Sequence, residues 1–214
     1  MNVELILILV VLTNLKLLGS SRLGSSIRMV GWQGLLLGLL PLLAGHALTP
    51  RVWLLAAGGI AIKGVMFPWM LLRALREAEV RREVEPFVGM ITSILTGVLA
   101  LGVSFWLGQR LPLPHPVSSP LMVPVAMSAI LIGLFLIVSR RKAVSQVLGF
   151  LVMENGIYVF GVGVVKEISL LVELGVLLDV FVAVFVMGIT IFHISREFDH
   201  IDTDRLSTLK DWKP

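Results

Sequence analysis

The stretch LMVPVAMSAILIGLFLIV, residues 121–138, runs for eighteen residues without a charged side chain. As a helix it rises about 27 Å, close to the thickness of a bilayer's hydrocarbon core. Apolar residues here form a run and do not recur at the spacing of one helix face, so the segment has no polar side to give to water. In lipid every backbone N–H and C=O must be satisfied within the segment, which selects a helix. A spanning barrel would need short alternating segments, and none is present.

Working outward, similar runs bounded by polar interruptions lie at 3–19, 27–46, 52–72, 87–107, 143–165 and 168–193, giving seven expected spans. The whole chain agrees with this reading. Of its 214 residues 57% are apolar and 15% charged, against roughly a quarter charged in soluble domains, and mean hydropathy is +0.94. The first run begins with Glu4 where a secretory signal would carry positive charge, and it reaches Lys16 without a small-residue cleavage site, so it is expected to be a retained span.

The loops test the span count. On one side fall Lys16, Arg22 and Arg28, then Arg73, Arg76, Arg81 and Arg82, then Arg140, Arg141 and Lys142, and finally the tail's Arg196, Arg205, Lys210 and Lys213. The other side holds Arg51, Arg110 and Lys166. Because basic residues stay cytoplasmic, the N-terminus is expected outside and the C-terminus inside. The expected fold is an all-α integral membrane bundle. Residues 1–120 form a four-helix region, with a charged surface helix near 73–86. Residues 121–194 form a three-helix region, and 195–214 a cytoplasmic tail.

Composition also excludes chemistry. The chain has no cysteine, so it holds no iron–sulfur cluster, thiolate metal site or disulfide. The net charge of +4 belongs to membrane edges and gives no footing for nucleic acid. His46, His115, His193 and His200 sit near span ends, which argues against a haem held by two histidines. No phosphate-binding loop or nucleophile–base set is present, so neither a cofactor nor a metal is expected in this chain.

Three ionisable side chains fall near the middle of a span: Lys63, Glu154 and Asp179. A charge at the bilayer centre costs about 2.5–3.5 kcal/mol on insertion scales. Each is too far from a span end to reach water, so each must face protein or water, pair, or be neutral. Low dielectric disfavours the charged form of carboxyl and amine alike, which brings such groups toward proton exchange. Glu154 and Asp179 each lie about 18 Å inward from the turn near Lys166 and Glu167, at similar depth. Tyr158 shares a face with Glu154 at i, i+4 spacing, and its hydroxyl is placed to bond the carboxylate. Pro68 cannot donate to the carbonyl of Gly64, which loosens the backbone beside Lys63. Gly31, Gly34 and Gly38, and likewise Gly97 and Gly102, suit close helix contact. The pattern reads as a proton relay through Glu154, Asp179 and Lys63, supported by Tyr158, Asn155 and, nearer the surface, Glu173. The competing reading makes the carboxyls and Asn155 polar glue between helices.

QVLGFLVMENG (146–156), ELGVLLDVFVAV (173–184) and the tail IDTDRLSTLK (201–210) resemble hydrogenase-4 component E, a membrane subunit of [NiFe]-hydrogenases of the formate hydrogenlyase kind. The last three spans are also similar to the K subunit of respiratory complex I and the C subunit of multisubunit sodium/proton antiporters. Glu154 matches the first of the K subunit's two membrane glutamates. Asp179 matches the second and is one methylene shorter. The resemblance implies a non-catalytic subunit in a prokaryotic cytoplasmic membrane. Its partners would be antiporter-like and complex I-like membrane subunits and a hydrophilic hydrogenase arm, with nickel–iron and iron–sulfur centres in those partners. Translocation of protons or sodium would run partly through this chain. An antiporter subunit and a pure scaffold are the alternatives.

Overall fold

The computed structural model describes residues 3–44, 49–77, 87–112 and 119–164. Among these the regular elements are helices: α1 (Val3–Leu18), α2 (Leu23–Gly38), α3 (Leu40–Leu43), α4 (Pro50–Gly59), a π-helical segment (Ile60–Met66), α5 (Phe67–Glu77), α6 (Met90–Gly108), α7 (Met122–Ser139) and α8 (Ala143–Val164). Five stretches are long and apolar enough to cross a membrane: Leu23–Leu43, Val52–Arg76, Met90–Gly108, Met122–Ser139 and Ala143–Val164. Helix α1 has 16 residues and falls short of that length, since it rises about 24 Å. The expected seventh span, with Glu173 and Asp179, and the tail lie outside the described residues.

Several boundaries moved for identifiable reasons. The second span begins at Leu23, not at 27, because Arg28 is exposed within the helix and did not have to end it. An arginine near a helix end reaches the interface along its own stem. The third span starts where Thr49 accepts the Val52 N–H at 3.4 Å and Pro50 occupies the first turn. It runs unbroken to Glu77, so residues 73–77 continue the spanning helix, while 78–86 lie outside the described residues.

Within that long helix the missing Pro68 N–H has a visible consequence. The backbone widens into the π segment just before the proline, and the Phe67 N–H donates to the Ile62 carbonyl five residues back. A π turn absorbs the register error that a proline would otherwise convert into a kink.

Small residues set the packing. Two spanning helices in lipid gain little from apolar association, so close backbone approach drives contact. On α7 and α8, Gly133, Gly149 and Gly156 bring the two backbones together. A Cβ at Gly149 would lie 2.9 Å from both the Gly133 carbonyl oxygen and the Ile137 nitrogen. Gly97 of α6 sits against Leu18, whereas Gly102 faces open space, so only one of that expected pair makes a contact. Helix α6 buries Ser93, Gly97 and Ser104 and exposes Ile91, Leu95 and Leu99, the arrangement expected of a helix facing lipid.

Buried apolar residues form two clusters. One joins Leu17 and Leu18 to Ile27, Phe67, Leu136 and Leu148, at the end assigned above to the cytoplasm. The other joins Ile6 and Val10 to Leu37, Leu40, Met122 and Val159, at the opposite end. Polar side chains occupy the level between them.

Gly149→Ala is expected to destabilise the bundle by about 1–3 kcal/mol, since backbone atoms cannot yield to the new methyl. Gly102→Ala is expected to be tolerated. Thermal unfolding in detergent tests the pair, and equal melting temperatures would contradict the close α7–α8 crossing.

Candidate functional site

The site begins with a lysine in a widened helix. Lys63 lies in the middle of the π segment, whose backbone rests on the Gly31, Gly34 and Gly38 stripe of α2. A Cβ at Gly34 would come within 2.6 Å of the Lys63 carbonyl carbon and oxygen, and one at Gly31 within 2.6 Å of Pro68. The stripe was legible in the sequence, but not its partner. It is the groove that admits this backbone and sets where the Lys63 side chain starts.

From there the side chain crosses to α8. Lys63 Nζ donates to Glu154 Oε1 at 2.8 Å. The Lys63 side chain is 11% exposed and that of Glu154 3%, so the pair is enclosed. Glu154 lies midway along α8, about 16 Å from either end. Two charges that sequence analysis placed near the middle of separate spans are therefore direct partners. Pairing answers the cost of burying each alone, although desolvation offsets much of the attraction. The other carboxylate oxygen, Oε2, is buried and has no hydrogen-bond partner among the described residues.

Tyr158 joins the pair differently from the expectation. Its ring, not its hydroxyl, makes the contact: Lys63 Nζ lies 5.3 Å from the ring centroid. Along α8, i to i+4 spacing stacks Tyr158 above Glu154, and the cation that Glu154 attracts comes to rest near the tyrosine face. The structure thus brings together Lys63, Glu154 and Tyr158. Asn155 points elsewhere, its Nδ2 donating to Gln33 Oε1 at 3.4 Å. Glu173 and Asp179 lie outside the described residues.

Sequence reasoning missed Gln33. Its Nε2 donates to Asn14 Oδ1 at 2.8 Å and to Thr13 Oγ1 at 2.6 Å, and the side chain is 1% exposed. A screen for charges passes over an amide such as Gln33. An amide at mid-span beside a glycine stripe was the available signal, because a buried polar group needs partners of its own.

Arg140 lies in the loop after Met122–Ser139, where the sequence placed it, but it is not a surface charge. It is 2% exposed, and its Nη2 donates to the Leu18 carbonyl at 2.7 Å. Leu18 ends α1, so Arg140 satisfies one of the carbonyls a helix terminus leaves over. At the edges, Arg73, Arg110 and Arg141 lie over Trp69, Trp106 and Phe87, pairings suited to the membrane interface.

Three kinds of likeness bear on this site. Residues 121–211 match the family described as NADH-ubiquinone/plastoquinone oxidoreductase chain 4L. An uncharacterized protein of Mycobacterium tuberculosis, Rv0085, is 36% identical over 188 residues, covering 86% of this chain and 85% of its own. Hydrogenase-4 component E of Escherichia coli K12 is 26% identical over 159 residues, 74% of this chain and 73% of its own. The protein of that name in Shigella flexneri aligns to the same extent. No solved structure matches.

Removing one member of a buried pair strands the other. Lys63→Met is expected to cost about 3–5 kcal/mol, and Lys63→Met with Glu154→Gln clearly less than the two single losses added. Unfolding of the three variants in one detergent measures this coupling, and additive losses would mean the two side chains do not meet.

Proposed function

The chain belongs to the hydrogenase-4 component E family of complex I-related membrane subunits, and from that membership we propose that it is a non-catalytic membrane-arm subunit of a [NiFe]-hydrogenase of the formate hydrogenlyase type. In this reading it contributes buried carboxyls to ion translocation driven by electron transfer in partner subunits. Those partners are antiporter-like and complex I-like membrane subunits and a hydrophilic arm carrying nickel–iron and iron–sulfur centres. Its membrane is the prokaryotic cytoplasmic membrane. The distribution of Arg and Lys supports an outside N-terminus and a cytoplasmic C-terminus over seven spans.

The observation that carries the proposal is the enclosed Lys63–Glu154 pair, with Glu154 in the part of the chain that matches chain 4L. Its geometry gives a proton two places to act. One carboxylate oxygen holds the lysine, while Oε2, buried and without a hydrogen-bond partner among the described residues, is left to take a proton. A proton bound at Oε2 neutralises the carboxylate and weakens its hold on Lys63. The tyrosine ring stays within reach of the ammonium in either state. Loss of the proton restores the ion pair. Lys63 holds one oxygen of Glu154, and Asp179, at similar depth by residue count, is the carboxyl that receives the proton. Sodium could replace the proton at the same oxygens.

The same 2.8 Å contact also favours a second reading. A buried ion pair ties the third span to α8, which is what a scaffold joining membrane subunits would need.

Sealed vesicles containing the purified complex separate the two. Lumenal pH and electron transfer are followed together for wild type, Lys63→Met, Glu154→Gln and Asp179→Asn. The relay reading expects ion movement per electron to fall to a small fraction of wild type in the carboxyl variants while electron transfer continues. Assembled variants that pump normally would leave the scaffold.

A further inference from the structure

The level between the two apolar clusters holds a second polar group besides the ion pair. Gln33 of α2 uses all of its amide. Both Nε2 hydrogens are engaged by Asn14 Oδ1 and Thr13 Oγ1 on α1, and Oε1 accepts from Asn155 on α8. Asn14, Gln33 and Asn155 are between 1% and 3% exposed. Three buried amides carry a desolvation cost that nothing in the apolar packing requires, so their arrangement needs a reason.

That reason follows from neighbouring residues. Asn155 is one residue after Glu154, and successive side chains on a helix diverge by about 100°. Drawing Asn155 toward Gln33 on α2 therefore turns Glu154 to the adjacent face of α8. Gln33 is itself one residue before Gly34, on which the Lys63 backbone rests. A two-residue piece of α2 thus meets Lys63 through Gly34 and the neighbour of Glu154 through Gln33. Both members of the ion pair are referred to one rigid element.

We propose that Gln33 is the positioning residue of the Lys63–Glu154 pair: through Asn155 it sets the rotation of α8 that aims the Glu154 carboxylate at Lys63. Amides suit the task because they do not titrate. The clamp keeps the same hydrogen bonds whether Glu154 carries a proton or not, and it adds no titrating group of its own to that level. The Asn155 arm, at 3.4 Å, is the longest of these amide side-chain contacts, so α8 is held less tightly than α1.

The functional weight of this inference rests on the relay reading, while its geometry is tested separately. The purified complex is examined by infrared difference spectroscopy across a pH change. The Glu154 band is identified as the one lost in Glu154→Gln, and vesicle ion movement is recorded on the same samples. Gln33→Leu is expected to shift that band and to lower ion movement per electron several-fold. Because Gln33→Leu strands Asn14 and Asn155, a triple variant (Asn14→Leu, Gln33→Leu, Asn155→Leu) removes every amide at once, a change that leaves no orphaned partner among them. The triple variant is expected to show the same shifted band. An unshifted band in the variants that assemble would overturn the positioning role. If Glu154→Gln pumps as wild type, the relay reading falls, and the band shift still decides whether Gln33 aims the carboxylate.

Discussion

A charge inside a bilayer-sized bundle has few stable environments, and the Lys63–Glu154 contact at 2.8 Å is one that this fold provides. Much else in the described structure serves that contact. Lys63 reaches α8 because its backbone lies flat against a glycine groove, which a methyl at Gly34 would close. The groove accommodates a widened helix, and the widening exists because Pro68 has no N–H to donate. One proline, three glycines and two charges are thus a single causal chain.

The second consequence is a layered interior. Apolar clusters lie above and below the polar level, so the pair is shielded along the helix axes by packed aliphatic side chains. Such shielding strengthens electrostatic coupling inside the level and makes each unsatisfied polar atom costly. It also explains why the amides and the ion pair share one depth: polar groups spread along the bundle would each have broken a separate dry layer. Exchange between the pair and its surroundings is then easier sideways, at constant depth, than along a helix.

The helices that build this level do not pack as a soluble core does. Glycine and serine face inward on α6, and glycines line the α7–α8 crossing, while large aliphatic residues point outward. With hydrocarbon outside, leucine gains nothing by moving inside, so the interior is given to residues that allow close approach or hydrogen bonding. Arg140 shows the other use of burial, holding the end of α1 to the turn between α7 and α8.

The sequence by itself determined that the chain crosses a membrane, that Lys63 and Glu154 are anomalous at their depth, and that the backbone before Pro68 is loosened. Each of these follows from local composition: length of an apolar run, a charge within it, an absent donor. Tertiary structure alone decided that Lys63 and Glu154 meet, that Tyr158 offers its ring, that the α2 glycines receive the π segment, and that Gln33 ties α1 to α8. Such facts depend on the rotation of each helix about its axis. In a uniformly apolar helix hydrophobic periodicity carries almost no information about rotation, because lipid and protein interior accept the same side chains. The rotations were set by glycine contacts and buried hydrogen bonds between residues far apart in the chain, and these become visible only once the helices are packed.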